Sequence, residues 1–573
     1  MQKEPGSTDP FTIEVVKDAL TAVGDEMFET LLRTSMSPII YEVLDFASGL
    51  TDARGRLITQ GQGVTGFIGM LTTSVEAVLE KWAGRLEPGD IVITNDPYTG
   101  GGSHLSDVSL VAPIFIDGEL IAFAVSKAHW TEVGGMSPGS FTTDSTEIYQ
   151  EGLQFPNVKI WSRGERNDSL VDVIASNVRT PEQTIGDLMA QAAAMRVGER
   201  AFREVCDKYG QDVVLETIEA LIAQGETLAR IELGKLPKGT FEAVDYIDDD
   251  GLGGGPFEVR VKITITDEEF VCDFTGSHPQ VPGPVNNTFT GLLSAAQVAF
   301  KAVTDPSAPA NHGSFVPLRV ICPPGTILSC ERPAPCSIYW ESLTFGTELI
   351  WRALAPHLPE RLGAGHMASV VGTIVAGPHA DTGDFVVLVE PEVGGWGANP
   401  SADGNVGQFC ALDGETFVTQ AEIAEARFGL RVERFCLDPA GAGAGRTRGG
   451  PGCIREYRIL RDGWIVTSTA GRHAFPVWGL HGGENGTTNH VDVVKADGSV
   501  TRFGKVARHP LAAGDLVRIV TATGGGYGEP LERDPEAVAE DVRNGYVTVE
   551  EALGQYGVEV DPSTFAVVGL PGR

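Results

Sequence analysis

A histidine and an aspartate stand three residues apart in Asn95-Asp96-Pro97-Tyr98-Thr99-Gly100-Gly101-Gly102-Ser103-His104-Leu105-Ser106-Asp107. Imidazole nitrogen and carboxylate oxygen both bind Zn2+, Mn2+ or Fe2+, and the three glycines let the backbone turn tightly enough for His104 and Asp107 to converge. A second histidine, His129, follows downstream. Two histidines and one carboxylate satisfy one such divalent ion. The competing reading is a turn capped by Asp107 beside a hydrogen-bonded surface histidine, since this spacing is common by chance. Beyond His129 come Glu132, Asp144, Glu147 and Glu151. A carboxylate beside a metal can orient or deprotonate water, which makes Glu132 a catalytic candidate with His104 and Asp107. Asp144-Ser145-Thr146-Glu147 also reads as a helix start.

Other chemistries find no support. The glycine runs at 251–255 and 524–528 have neither the phosphate-binding G-x-x-x-x-G-K-[ST] pattern nor a strand-to-helix dinucleotide context. Residues 441–452 form a third glycine-rich turn, with Arg446 and Arg448, and no G-x-S-x-G elbow is present. No ATP site is therefore expected on this chain.

The elements that must position the candidates come next. Residues 108–116 read as a strand, Asp117-Gly118 as a hairpin turn, and 120–126 as the returning strand. A three-residue loop sets Asp107 opposite His129, whereas a two-residue loop sets it opposite Ala128. That register decides whether the two side chains share a face. Pro113 suggests an edge strand or a bulge. Apolar spacing predicts helices over 11–33, with Asp9 as N-cap, and over 67–82, and residues 91–95 read as a strand. Thr180-Pro181-Glu182-Gln183 predicts a capping box opening a helix. With a second helix over 212–231 it would form a helical hairpin packed on the first sheet. From Phe241 strands dominate: 259–265 alternates, 270–274 is its partner, and strand-like runs continue to about residue 525, apart from helices over 287–303 and, beyond them, 533–553.

The fold expected is mixed α+β: an N-terminal α/β metal-bearing catalytic domain over 1–240, a central α/β domain over 241–375, and a β-rich domain over 376–573. A length of 573 residues supports several domains, because single cores rarely exceed about 300 residues. The net charge of −34 makes nucleic acid a poor partner for this surface, and none is expected. Eight cysteines without a C-x-x-C pair read as reduced, mostly buried thiols rather than a disulfide framework. No apolar run reaches the roughly 18 residues of a spanning helix, and the first ten residues have no apolar core for a signal peptide. A cytoplasmic location without membrane association is expected.

Many ordered motifs, spread over nearly the whole length, resemble the hydantoinase B/oxoprolinase family, which is also similar to subunits of ATP-dependent ketone carboxylases. They include Asp9-Pro10 with its helix, Leu32-Arg33-Thr34-Ser35-Met36-Ser37-Pro38, Asp45-Phe46, Asp52-Ala53-Arg54-Gly55-Arg56-Leu57, and Asn95-Asp96-Pro97. His129 ahead of Gly134-Gly135, Met136-Ser137-Pro138-Gly139-Ser140, Glu151-Gly152, and Asp187-Leu188 with Gln191-Ala192 also fit. So do Asp273-Phe274-Thr275-Gly276, Phe475-Pro476-Val477-Trp478-Gly479 and Gly524-Gly525-Gly526-Tyr527-Gly528. The resemblance implies a single divalent ion, Zn or Mn before Fe, held by Asp45, His104, Asp107 and His129; only the resemblance points to Asp45. It also implies a hetero-oligomer in which a separate A-type subunit binds ATP and phosphorylates the substrate. The B-type chain then completes hydrolysis of a cyclic amide such as a hydantoin, lactam or oxoproline. A ketone carboxylase subunit, acting on acetone-like or acetophenone-like substrates, is the alternative. One departure stands out. Where many relatives carry His-His-Ala-Asp-Ile-Gly-Gly, this chain has His129-Trp130-Thr131-Glu132-Val133-Gly134-Gly135, so the ligand is retained and the surrounding pocket is expected to differ.

Overall fold

The computed structural model describes residues 8–571. The reading of the first ten residues as lacking a signal peptide therefore rests largely on residues outside that range. The chain divides into two compact units, each assembled from separated stretches. The first comprises Met1–Thr240, Lys262–Tyr339 and Leu412–Thr419; the second comprises Phe241–Val261, Trp340–Ala411 and Gln420–Arg573. The expected boundary near 240 coincides with a unit edge. The expected boundary near 375 falls inside the second unit, because the strand there pairs on both sides with strands of that unit.

The first unit opens with helix α1 (Pro10–Thr34), capped by the Asp9 carboxylate, which accepts from the Phe11 and Thr12 N–H groups. Val16, Leu20, Val23, Met27 and Leu31 form its buried stripe. After a short turn of helix, α2 (Pro38–Tyr41), come β1 (Phe46–Asp52), β2 (Leu57–Gly63), α3 (Thr65–Trp82), β3 (Ile91–Thr94), β4 (Asp107–Ile116) and β5 (Glu119–His129). Strands β6 (Val158–Ser162) and β7 (Glu165–Arg166) complete an antiparallel sheet in the order β2-β1-β5-β4-β3-β6-β7. Helices α4 (Asp168–Asn177), α5 (Pro181–Tyr209) and α6 (Gln211–Lys235) follow; α5 lies on β4 and β5 and packs against α1 and α6. The expected capping box at Thr180 is not formed. Thr180 occupies the N-cap position with φ −122° and ψ 61°, outside extended geometry, and its hydroxyl makes no cap bond.

The hairpin resolves its two possible registers by an irregularity. Asp117 and Gly118 both have positive φ and make a two-residue turn, with Ile116 paired to Glu119. A bulge then shifts the register, so that Ile114 pairs with Ala122 and Asp107 pairs with His129. A tight turn plus one extra residue thus reproduces the alignment of a three-residue loop. Pro113 lies within an interior strand, but it pairs with Phe123 of β5 beyond the segment 109–111 that pairs with β3. Its missing N–H costs no ladder bond there.

In the second unit a four-stranded sheet (Thr373–Pro378, Phe385–Glu390, Trp464–Thr469, Lys505–Leu511) and a five-stranded sheet (Arg431–Asp438, Gly452–Arg458, His490–Val494, Val500–Phe503, Leu516–Val520) share one buried core. That core includes Val375, Leu388, Val466, Tyr457, Val491 and Val517. The helix Trp340–Leu354 was not expected. Nearly every residue in it is buried, including Glu341 and Glu348. The segment expected as one helix over 533–553 is two, Pro535–Arg543 and Val549–Gly554.

The glycine runs at 441–452 and 524–528 have a packing cause where they meet. A Cβ on Gly524 would lie 1.9 Å from the Trp396 carbonyl oxygen, and one on Gly449 would lie 1.9 Å from the Gly524 carbonyl oxygen. Backbone lies directly on backbone, and no side chain fits. Gly524→Ala is expected to lower stability by about 2–4 kcal/mol in denaturant unfolding, the range of severe overpacking; an unchanged midpoint would contradict this packing.

Candidate metal centre

Three neighbouring strands deliver side chains to one end of the first sheet. Asp107 starts β4, and its cross-strand partner His129 ends β5. Asp45 immediately precedes β1, where Phe46 pairs with Ala128; the His129 N–H donates to the Asp45 carbonyl at 3.0 Å. Leu44, at φ 63°, makes the turn that brings Asp45 to this edge. His104 arrives on the glycine loop, which Asp96 and Asn95 fold back on itself. The Asp96 carbonyl accepts from the Gly100 and Gly102 N–H groups, and the Asn95 amide donates to Leu105 and Leu153 carbonyls. Gly101 has φ +67°, and a Cβ there would meet the Ser74 nitrogen at 2.4 Å, so this turn requires glycine.

His104 Nε2 lies 3.0 Å from Asp107 Oδ1 and 3.3 Å from His129 Nδ1, and His129 Nδ1 lies 3.2 Å from the same Asp107 oxygen. All three residues are buried. An Asp45 oxygen lies 3.9 Å from His129 Nδ1, and that side chain keeps some exposure. His104 Nδ1 faces the Ser337 carbonyl at 3.1 Å. A carbonyl only accepts, so Nδ1 carries a hydrogen, and Nε2 is the ring nitrogen turned toward the Asp107 carboxylate and His129. A carboxylate oxygen and two ring nitrogens thus converge on one point, the donor set a divalent ion takes. Donors about 2.1 Å from a tetrahedral ion lie about 3.4 Å apart, close to the separations seen here. The residues therefore fit a divalent ion.

The other atoms of the ligand groups are tied down. Asp107 Oδ2 accepts from the Tyr339 hydroxyl at 2.9 Å and from the Ser103 hydroxyl. Burial first, then the Asp107 charge, pushes the Tyr339 phenol well above its usual range, so it stays a donor. Burial acts to raise the Asp107 pKa, but attraction and hydrogen bonding from His104 and His129 outweigh it and hold the carboxyl well below the ordinary range. Burial pushes Asp45 up to about 7, with Asp107 and Asp413 adding and His129 opposing. Lys127 is also buried; desolvation lowers its pKa to about 8 against the pull of Asp107, and its Nζ lies 3.5 Å from the Asp107 carbonyl.

Glu132 is not in this cluster. Its carboxylate is buried in an ion pair with Arg179 and accepts from the Gly139 N–H at 3.4 Å. Burial raises its pKa and Arg179 opposes the rise. Trp130, the departure beside His129, is fully buried and donates to Gln191 of α5 at 2.7 Å, so its indole packs toward the helix layer. Asp144-Ser145-Thr146-Glu147 does not open an α-helix; Glu147 caps a single 3-10 turn, Ile148–Gln150. Sequence reasoning missed Tyr339 and Ser337, which lie more than 200 residues from His104. It had Glu151 only as one of several acids. Glu151 accepts from the Ser337 N–H at 2.9 Å and the Cys336 N–H at 3.1 Å, and so positions the carbonyl that orients His104. Burial pushes Glu151 up to about 8, against those bonds and that of Ser145.

A mixed α+β chain with a buried His/Asp cluster at a hairpin end is the class these observations define. The Hydantoinase B/oxoprolinase family model matches residues 9–530, and the chain belongs to that family. An uncharacterized protein of Methanocaldococcus jannaschii is 33% identical over 566 residues, covering 96% of both chains. The caprolactamase subunit beta of Pseudomonas jessenii is 31% identical over 97% of both chains. The crystal structure of that organism's ATP-dependent caprolactamase superposes with a TM-score of 0.90 at 29% identity, covering 97% of each chain. Acetone carboxylase shares the fold, with a TM-score of 0.90 at 21% identity over 98% of this chain and 81% of that one. Among the described residues no helix is long and apolar enough to cross a membrane.

His104→Ala and Asp107→Asn are each expected to abolish metal retention by the purified chain, read by elemental analysis. Glu151→Ala should weaken metal affinity by about 10- to 100-fold, the usual cost of losing an outer-shell partner. Wild-type metal content in both ligand variants would refute the assignment.

Proposed function

We propose that this chain is the B-type, metal-dependent subunit of an ATP-dependent cyclic-amide amidohydrolase. The observation that carries this reading is the convergence of His104 Nε2, His129 Nδ1 and Asp107 Oδ1 at one sheet end, in a chain whose relatives include a lactam-hydrolysing subunit. His104, Asp107 and His129 would hold the ion, and Asp45, partly exposed and slightly farther away, would complete the set on the side open to substrate. A divalent ion held there supplies Lewis acidity and makes water acidic enough to be a nucleophile near neutral pH. Zn or Mn suits two imidazoles with carboxylates, and Fe is compatible with the same donors.

The chain's own groups do the orienting. Tyr339 and Ser103 fix one Asp107 oxygen so that the other faces the histidines. Ser337 fixes the His104 tautomer. Glu132, the candidate base, is held by Arg179, and in this reading it shapes the loop 132–139 rather than moving a proton. An unstrained cyclic amide is a poor electrophile, and phosphorylation of its oxygen makes it a better one. That step is assigned to an A-type partner subunit carrying the ATP site, in a hetero-oligomer.

Reconstitution with an A-type subunit tests this. Hydantoin, caprolactam or 5-oxoproline should turn over only with ATP and both chains and without added bicarbonate, and Asp107→Ala should cost at least about 1000-fold. Turnover that requires bicarbonate would favour a ketone carboxylase. ATP-independent turnover by the single chain, or an unaffected Asp107→Ala complex, would contradict the proposal.

A further inference from the structure

Two thiols that the chemistry above does not use face each other beside the centre. Cys330 and Cys336 are both buried, with Sγ atoms 3.4 Å apart across the turn formed by residues 331–335. The segment that follows is the one that orients the cluster. Glu151 accepts from the Cys336 and Ser337 N–H groups, the Ser337 carbonyl faces His104 Nδ1, and the Tyr339 hydroxyl donates to Asp107. The Tyr339 N–H also donates to the Cys336 carbonyl at 3.0 Å. Four consecutive residues thus carry one sulfur of the pair, the carbonyl that fixes one histidine, and the hydroxyl that fixes the aspartate.

We propose that Cys330 and Cys336 are a redox modification site: peroxide converts them to a reversible disulfide, and forming it loosens the grip of His104 and Asp107 on the metal. The coupling rests on the metal-centre reading; the disulfide itself does not. Cys330 is the more accessible of the two, at 9% exposure against none for Cys336. Its sulfur attacks a peroxide oxygen; an S–O bond forms, the O–O bond breaks, the thiol proton goes to the departing hydroxide, and a sulfenic acid and water result. The Cys336 sulfur then attacks that sulfur; the S–S bond forms, the S–O bond breaks, and the hydroxyl leaves with the second thiol proton as water. Two thiols and one hydrogen peroxide give one disulfide and two waters, with sulfur oxidised and peroxide reduced. Drawing the Cys336 sulfur toward Cys330 pulls on a backbone pinned by Glu151. The Ser337 carbonyl and the Tyr339 hydroxyl then shift against side chains whose orientation depends on them.

The test uses the full chain loaded with Zn2+ and treated with hydrogen peroxide under native conditions. Peptide mapping should find the segment spanning Cys330 and Cys336 lighter by two hydrogen atoms, restored by dithiothreitol and absent in Cys330→Ser. Zn2+ loss to a chelator should be at least about tenfold faster in the oxidised wild type than in treated Cys330→Ser, the lower end of outer-shell effects on affinity. Cys330→Ala serves if the serine variant does not fold. Oxidation found only at other cysteines, or as oxygen adducts without the crosslink, overturns the modification site. A crosslink that leaves Zn2+ loss unchanged overturns the coupling. A reduced chain that takes up no Zn2+ contradicts the metal centre and the coupling with it, while the mass readout still decides the disulfide.

Discussion

Three electron-pair donors held about 3 Å apart inside protein repel one another unless a positive charge joins them. The end of the first sheet is built around that constraint. Asp107 presents one oxygen to two imidazoles, and its other oxygen is fixed by Tyr339 and Ser103. The Ser337 carbonyl removes the tautomeric freedom of His104, and Glu151 holds Ser337 in turn. Buried Lys127, close to the Asp107 backbone, places a compensating charge beneath the cluster. Oriented ligands of this kind are ready for an ion without having to reorganise on binding it.

The sheet makes this convergence possible because β1, β5 and β4 are neighbours and antiparallel. The start of one strand then lies beside the end of the next, and Asp45, His129 and Asp107 arrive together although they are far apart in sequence. Local signals carried part of this. The glycine loop, the Asp117-Gly118 turn and the two strands were readable from residue types alone. The register was not, because a two-residue turn alone would place Asp107 opposite Ala128. A bulge restores the pairing with His129, and bulges leave little trace in a hydrophobic pattern.

Asp45 illustrates a different limit. Nothing in its neighbourhood looks like a ligand motif, and its placement depends on the turn at Leu44 and on pairing with a strand more than 70 residues later. Resemblance supplied it. Tyr339, Ser337 and the role of Glu151 were out of reach for the same reason, since each acts through a contact between remote segments. Other motifs gained a physical meaning only in the fold. Asp187, one of the recurring family residues, accepts from the Met36 and Ser37 N–H groups and so ties α5 to the chain leaving α1. Gly449, Gly524, Gly525 and Gly526, in runs that carry no phosphate-binding pattern, are places where one backbone crosses another with no room for Cβ.

The hydrolytic reading, and the coupling of the thiol pair to the centre, depend on whether an ion occupies the space enclosed by His104, Asp107 and His129. Anomalous diffraction from crystals of the chain grown with Zn2+ or Mn2+ measures this directly. The account predicts one strong peak at about 2.0–2.3 Å from His104 Nε2, His129 Nδ1 and an Asp107 oxygen. A peak elsewhere, or none at this position while the three side chains remain directly hydrogen-bonded to one another, would contradict it.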